Sequence, residues 1–315
     1  MSYDDIVIAV TSHSFSSDPY LRERLLVSFP RSRFNGESPK LSNAELKALL
    51  HDADGAIIGT DVIDANVLQV CPRLQVIAKY GVGVDNIDFH ACADAGIHVG
   101  WTPGVNRLSV AEQTLGFMLC LSRNLYSSSL LLKQGIWKKQ GGMQLSEKRV
   151  GIIGLGHVGR EVVRLLQPFR CSILVNDIMD RSEICRRYRL ISASKERIFR
   201  EADFVTIHTP LTPETRHLVN LDTLSLMKPS AFLINTSRGA VVNQAHLKEA
   251  LQKGVIAGVA MDVYEDEPPT DRGLLSLPNV FCTPHIGGNA KEAIRAMGLS
   301  AIEHVKAFFG RCQPL

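Results

Sequence analysis

Residues 149–169 read RVGIIGLGHVGREVVRLLQPF. An apolar run ending at Ile153 meets Gly154-x-Gly156-x-x-Gly159. A helical pattern follows at once, with Val158, Val162, Leu165 and Leu166 on one face and Pro168 closing it. In a chain with 24 glycines the spacing alone is a weak signal; its place between a strand and a helix makes it a specific one. The first glycine permits a tight turn, the second lets a pyrophosphate approach the backbone, and the third lets the helix pack on the strand. The helix start then offers free N–H groups and a positive dipole end to the phosphates. The segment predicts a βαβ dinucleotide-binding unit in a parallel sheet.

The next apolar run stops at Asp177, eighteen residues past Gly159. A carboxylate there accepts hydrogen bonds from the adenosine ribose hydroxyls and repels a 2′-phosphate, which favours NAD over NADP. Arg181, Arg186 and Arg187 follow closely. A nearby arginine can receive a 2′-phosphate, but a run of charge is more often a solvated helix face, so the expectation stays with NAD.

Working outward, short apolar runs alternate with helical patterns. Strands are expected at 6–10, 56–59, 74–79 and 97–99, with helices at 43–51 and 86–95 between them. A strongly apolar helix is expected at 109–123, facing its core with Val110, Leu115, Met118, Leu119 and Leu121. After a loop at 135–142, a second series has strands at 150–154, 173–176, 204–208, 232–235, 257–263 and 280–282. A last helix is expected at 291–309, with Ile294, Met297, Leu299, Ile302, Val305 and Phe308 for burial. Strands at this spacing, separated by helices, make parallel sheets with right-handed crossovers. The 315 residues suit two α/β domains rather than one.

Composition narrows the function. Apolar residues form 45% of the chain and charged ones 21%, which excludes global disorder. The balance of 35 basic to 32 acidic residues is too even for a dedicated nucleic-acid or membrane-surface binder. No apolar run reaches the roughly 20 residues of a membrane span, and the start MSYDDIVIAV carries acids where a signal peptide needs positive charge. The seven cysteines, Cys71, Cys92, Cys120, Cys171, Cys185, Cys282 and Cys312, form no C-x-x-C pair. They read as small apolar residues in a reducing compartment, with no metal site, and the expected location is cytoplasmic.

Further motifs stand in order along the chain: GVGVDNID at 81–88, TPGVN at 102–106 with VAE at 110–112, HTPL at 208–211, NTSRG at 235–239, DVYEDEP at 262–268 and TPHIGG at 283–288. With the glycine motif, they make the chain resemble the D-isomer-specific 2-hydroxyacid dehydrogenases over nearly its whole length. The resemblance implies an α/β fold of two doubly wound parallel-sheet domains, a Rossmann nucleotide domain at 102–287 inserted into a flavodoxin-like catalytic domain at 1–101 and 288–315. It implies a catalytic trio of Arg238, Glu267 and His285. It also implies cofactor contacts at Gly154, Gly156, His157, Val158, Gly159, Asp177, Thr209, Thr236, Ser237, Asp262 and Gly288. Asp262 would meet the carboxamide end, and Thr209 and Thr236 would line the cofactor's path. The backbone N–H groups of Val82 and Gly83 would hold the substrate carboxylate.

The chemistry of the trio can be argued from the side chains themselves. Reduction of a 2-keto acid needs a hydride, a proton for the oxygen and a cation for the carboxylate. Arg238 offers a planar fork to the carboxylate, although an arginine before Gly239 is equally placed to cap a helix. His285, one of ten histidines, has the ordinary pKa of a general acid and sits beside Pro284 in a loop at a strand end. Glu267 in contact with it would favour the imidazolium. Glu265 and Asp266 are its neighbours in the same acidic turn.

The expected activity is hydride transfer between NAD(H) and a small D-2-hydroxy or 2-keto acid, as a homodimer. Two departures from the family matter. Phosphoglycerate-oxidising relatives carry an arginine where this chain has Gly59-Thr60-Asp61, and Trp101 replaces a common asparagine. Arg107 is expected to supply the missing substrate-binding charge. One alternative is a 3-phosphoglycerate dehydrogenase without its regulatory domain, for which the sequence after residue 309 leaves no room. Another is an NAD-sensing scaffold like the C-terminal-binding-protein corepressors, which share the trio but carry long flanking arms.

Overall fold

A computed structural model of the chain describes residues 3–36, 38 and 40–311; Cys312 lies outside them. The chain divides into two compact units, Met1–Asn106 with Gly288–Leu315, and Arg107–Gly287.

The first unit holds β1 (Ile8–Val10), β2 (Arg33–Phe34), β3 (Gly55–Ile58), β4 (Val76–Lys79) and β5 (His98–Gly100). They form one parallel sheet in the order β2-β1-β3-β4-β5, a doubly wound arrangement. β1, β3 and β4 are buried at every position, which is why they read as unbroken apolar runs rather than alternating ones. On one face the helices Pro19–Ser28 and Lys291–Arg311 bring Leu21, Leu25, Met297, Ile302, Val305 and Phe309 into a common core. The chain's last helix thus completes the domain its first residues begin. Asn43–Leu50, Ala65–Leu68 and Phe89–Asp94 cover the other face.

Two boundaries differ from expectation for local reasons. Pairing starts at Ile8, not residue 6, because the Asp54 carboxylate takes the Val7 N–H at 2.8 Å. The helix expected from 86 starts at Phe89, because the Asp88 side chain caps it by accepting from Ala91 N. The Pro19–Ser28 helix had no amphipathic signal to find, since Arg22, Glu23 and Arg24 interrupt its apolar positions.

The second unit holds β6 (Arg149–Ile153), β7 (Ser172–Asn176), β8 (Ile191–Ser192), β9 (Phe204–Ile207), β10 (Phe232–Asn235), β11 (Gly258–Met261) and β12 (Val280–Cys282). All are parallel, in the order β12-β11-β10-β9-β6-β7-β8. The strand order reverses between β6 and β9, the switch point at which a Rossmann sheet opens a crevice for a dinucleotide.

The helix Arg107–Ser122 corrects the sequence reading. Its buried face is Val110, Ala111, Thr114, Phe117, Met118 and Ser122, while Leu115, Leu119 and Leu121 are only partly buried against the core. The helix is apolar on nearly every side. The stripe rich in small residues packs inward, where it approaches the helix His157–Leu166 closely. Among the described residues, no helix is long and apolar enough to cross a membrane.

Candidate active site

β6 ends at Ile153, and the chain turns at Gly154, whose φ of +97° suits glycine. A Cβ on Gly154 would lie 2.6 Å from the His208 carbonyl oxygen, and one on Gly159 would strike the Gly154 carbonyl. Gly156 instead faces open space. It starts the ten-residue helix His157–Leu166 without a side-chain cap, so the first N–H groups of that helix remain available to an anion. Gly154 thus makes the turn, Gly159 allows the close approach of helix and strand, and Gly156 leaves its backbone open. His157 and Val158 form the first turn, His157 exposed and Val158 partly buried.

Asp177 follows β7. Its Oδ2 accepts the Leu155 N–H at 2.7 Å and its Oδ1 accepts the Met179 N–H at 2.8 Å. Arg181 Nε lies 3.3 Å from Oδ1. Burial alone would raise this carboxyl, but the two backbone bonds and the Arg181 charge outweigh it and hold the group below the usual range. At the end of β9, Thr209 Oγ1 is a buried hydroxyl with no partner in the protein. An ionised carboxylate, an open glycine and an orphaned hydroxyl along one sheet edge are the donor and acceptor set that a dinucleotide would complete. His208 beside them bonds Thr206 Oγ1 at 3.0 Å. Burial pushes its pKa down to about 3, so it is a neutral imidazole unsuited to proton transfer near neutrality.

Three predicted cofactor residues are engaged within the protein. Thr236 Oγ1 pairs with Thr114 Oγ1 at 3.0 Å, and Ser237 Oγ donates to Asn235 Oδ1 at 2.9 Å. Asp262, 1% exposed, organises the loop after β12. It accepts from Thr283 Oγ1 at 2.6 Å, Ile286 N at 2.9 Å and Gly287 N at 2.7 Å. Its backbone carbonyl takes the His285 N–H at 2.8 Å. That loop carries His285 at φ +52°, so Asp262 fixes where the histidine stands.

His285 Nδ1 lies 2.7 Å from Glu267 Oε2, and Tyr264 N–H holds Glu267 Oε1 at 3.1 Å. The hydrogen bond to Glu267 is the largest influence on His285; with the charges of Glu267 and Asp262 it raises the imidazole above its ordinary pKa, against burial and Arg238. For Glu267 burial is the largest influence and would raise it. The bond and charge of His285, the Tyr264 N–H and the Arg238 charge reverse that and hold it low. Arg238 stands at the end of β10, partly buried, its Nη1 donating to the Ser237 carbonyl at 2.8 Å. Gly239 after it has no room for a Cβ, because the Tyr264 carbonyl occupies that space. The close approach brings the Arg238 and Glu267 loops together.

The remaining predicted residues are distributed as follows. Val82, Gly83 and Gly288 belong to the first unit, and the trio and the glycine cradle to the second. The 81–88 loop is anchored by Lys79, buried at the end of β4, whose Nζ donates to Asn86 Oδ1 at 2.7 Å and to the Gly59 carbonyl. Arg107 opens its helix with Nε 3.8 Å from Glu161 Oε2. Trp101 packs edge-on against Phe89, ring centroids 5.5 Å apart. Sequence reasoning missed Tyr264, Thr114 and Lys79. Of these, only Tyr264, inside the DVYEDEP motif, carried a local signal. Among the described residues no group of three or more His, Cys, Asp or Glu is placed to hold a metal ion.

Residues 115–287 match the family model for the NAD binding domain of the D-isomer specific 2-hydroxyacid dehydrogenases. The chain is 39% identical over 272 residues to a D-3-phosphoglycerate dehydrogenase of Methanocaldococcus jannaschii, covering 84% of this chain and 52% of that protein. It is 33% identical over 296 residues to a hydroxypyruvate reductase of Thermotoga maritima, covering 92% and 95%. The crystal structure of D-lactate dehydrogenase from Aquifex aeolicus complexed with NAD and lactic acid matches with a TM-score of 0.84 at 28% identity, covering 96% of this chain and 95% of that one. The chain spans about half the length of the D-3-phosphoglycerate dehydrogenases it matches.

Proposed function

The chain belongs to the D-isomer-specific 2-hydroxyacid dehydrogenase family, and from that premise we propose that it transfers a hydride between NAD(H) and a small D-2-hydroxy acid or its 2-keto acid. The observation that carries the reading is the His285–Glu267 pair at 2.7 Å, raised and lowered in opposite senses. A charged imidazole held by a carboxylate is a proton donor for a developing alkoxide.

In this proposal Gly154, Gly156, Gly159 and the helix start hold the pyrophosphate, Asp177 holds the adenosine ribose, and Thr209 lines the cofactor's path. The nicotinamide, when bound, supplies or receives the hydride. Arg238 binds the substrate carboxylate as a fork and polarises the carbonyl. With Nδ1 taken by Glu267, His285 exchanges its proton with the substrate oxygen through Nε2. It acts as acid in reduction and as base in oxidation.

A second reading, oxidation of 3-phosphoglycerate, is favoured by the 39% identity to an enzyme of that name. It is disfavoured by Gly59-Thr60-Asp61, which offers no cation for a phosphate.

The proposal includes a homodimer. Leu125, Tyr126, Leu130, Leu132, Ile136 and Trp137 expose large apolar area along one segment, 76% of the tryptophan included. A second copy of the chain is the natural cover for it. A cytoplasmic location belongs to the same reading and suits the six described cysteines, which are free thiols.

The test is NADH consumption against glyoxylate, hydroxypyruvate, pyruvate, phosphohydroxypyruvate and bulkier 2-keto acids, with His285→Gln in parallel. Turnover with one preferred acid is expected, lowered about 10²-fold or more by the substitution with NADH still bound. Tight NADH binding with no turnover of any acid would overturn the reading and favour a scaffold.

A further inference from the structure

The turn that carries Glu267 has little backbone support of its own. Among the described residues, no N–H from 263 to 269 donates to a backbone carbonyl. Two of these groups are held by side chains instead, Tyr264 N by Glu267 Oε1 at 3.1 Å and Glu265 N by Gln244 Oε1 at 2.8 Å. The first bond is internal to the turn. The second reaches the start of the helix Gln244–Gln252.

We infer that His217, Glu265 and Gln244 form a clasp that positions Glu267, and through it His285. The inference rests on the reading of His285 as the proton-exchanging group.

Three observations carry it. First, the clasp is reciprocal. Gln244 Oε1 takes the Glu265 N–H, while Glu265 Oε1 takes the Gln244 N–H at 3.3 Å and meets His217 Nε2 at 2.9 Å. One carboxylate oxygen thus joins the turn to two other segments. Second, the His217 ring is set to donate. Asn243 Oδ1 accepts the His246 N–H at 3.0 Å, which leaves Asn243 Nδ2 facing His217 Nδ1 at 3.5 Å. An amide donor at Nδ1 places the ring proton on Nε2, toward Glu265. Third, the same segments frame Arg238. The His217 N–H donates to the Ala240 carbonyl at 2.8 Å. Beside Gly239, the Tyr264 carbonyl and Glu265 N fill the space a Cβ would need. The clasp therefore joins 238–244 to 264–267, the stretches that carry Arg238 and Glu267.

A pair as exposed as His217 and Glu265, 36% and 31% on their side chains, contributes little to stability. Its consequence is placement. Glu267 meets His285 Nδ1 at 2.7 Å, and a displacement of about 0.5 Å is enough to weaken such a contact. Glu267 raises the imidazole, helped by Asp262 and opposed by burial and Arg238. A loosened turn should let the imidazole fall back toward its ordinary 6.5.

The first arm of the test needs no substrate: the His285 imidazole, identified by its loss in His285→Gln, is titrated by NMR. The proteins are wild type, Glu265→Ala, Glu265→Gln, His217→Asn and, as reference, Glu267→Gln. Asparagine is too short to reach Glu265 and tolerates the φ of +53° at position 217, so it serves where Glu265→Ala does not fold. Glu265→Ala and His217→Asn should each move the His285 titration to lower pH, by at least about a third of the displacement seen in Glu267→Gln. Glu265→Gln should recover most of that change, because one amide oxygen can accept from both His217 and Gln244. In the second arm, keto-acid reduction should show kcat about tenfold lower in the two clasp-breaking variants, with the falling limb at lower pH and NADH affinity retained. Glu265→Ala/His217→Asn should fall no further than Glu265→Ala. The inference is overturned if the His285 titration stays in place when the clasp is broken. It is equally overturned if Glu265→Gln changes as much as Glu265→Ala, which would assign the effect to charge. If the titration moves as expected but no acid is reduced by wild type, the clasp stands and the dehydrogenase reading fails.

Discussion

Glu267 uses its two oxygens on two different elements, Oε2 on His285 Nδ1 at 2.7 Å and Oε1 on the Tyr264 N–H at 3.1 Å. The carboxylate is thus aimed before any substrate arrives, and the imidazole it aims is held in one orientation. Preorganisation of this kind places the cost of ordering in folding rather than in each turnover.

The pair's opposite shifts fix the sense of the pH profile. His285 is raised above its ordinary 6.5, so keto-acid reduction should persist above that value and fall only as pH rises through the raised pKa. Oxidation of the hydroxy acid should run the other way. In Glu267→Gln the largest raising influence is lost, and the falling limb of the reduction profile should move to lower pH, with kcat down about 10²-fold. The pair's contribution to stability follows the same logic. The histidine part is complete below 6.5 and lost as pH rises through the raised pKa; the glutamate part is complete above 4.5 and lost as pH falls through the lowered one. Unchanged pH profiles for the variant would mean that Glu267 does not set the His285 proton.

Asp262 is the residue whose replacement should mimic loss of His285 without touching it. Asparagine keeps one accepting oxygen and turns an NH2 group toward N–H donors at Ile286 or Gly287. The cost is about 1–3 kcal/mol for each buried donor left unpaired. Asp262→Asn should therefore lower both the melting temperature and kcat, with a smaller effect on NADH affinity. A variant with unaltered kcat would show that the 283–287 loop does not depend on this carboxylate.

What the sequence made legible follows from where the cause lies. The glycine cradle, Asp177 and the strand cores were readable because each needs a residue type at a fixed local spacing. Thr114, Tyr264 and Lys79 were not, because their roles depend on which distant backbone they meet. Thr114 meets Thr236 from a helix 122 positions away in sequence. The Arg107–Ser122 face was misread for a related reason: where a helix is apolar all round, the packing partner chooses the buried stripe, and periodicity has nothing to select. The segment 125–137 turns its large apolar side chains to solvent, so no buried face of its own fold marks it in the sequence.

Arg107 offers a direct test of the phosphate question. Its guanidinium already faces Glu161, which Arg164 also contacts at 2.5 Å. If Arg107 replaces the cation missing at Gly59-Thr60-Asp61, Arg107→Ala should raise the KM for phosphohydroxypyruvate about tenfold or more and leave that for hydroxypyruvate nearly unchanged. Equal effects on both acids would assign Arg107 to the helix start and its ion pair alone.

Phe309 tests whether the last helix is integral to the first unit. Its ring, 4% exposed, meets Phe29 at 6.1 Å and Phe308 at 5.1 Å between centroids. Phe309→Ala removes a buried aromatic and leaves a cavity, which should cost about 3–5 kcal/mol. The loss falls on the sheet β2-β1-β3-β4-β5 and its covering helices, because the ring lies in that core. Urea unfolding followed by tryptophan fluorescence should then show one transition moved to lower denaturant, with the Trp101 signal, which belongs to this unit, reporting it. Phe309→Leu should recover most of the loss, since it restores apolar volume. NADH affinity at low denaturant should hardly change, because Asp177 and the glycine cradle lie in the other unit. If Phe309→Ala instead left the transition in place, the 291–311 helix would be an appendage, and the discontinuous domain would have to be redrawn without it.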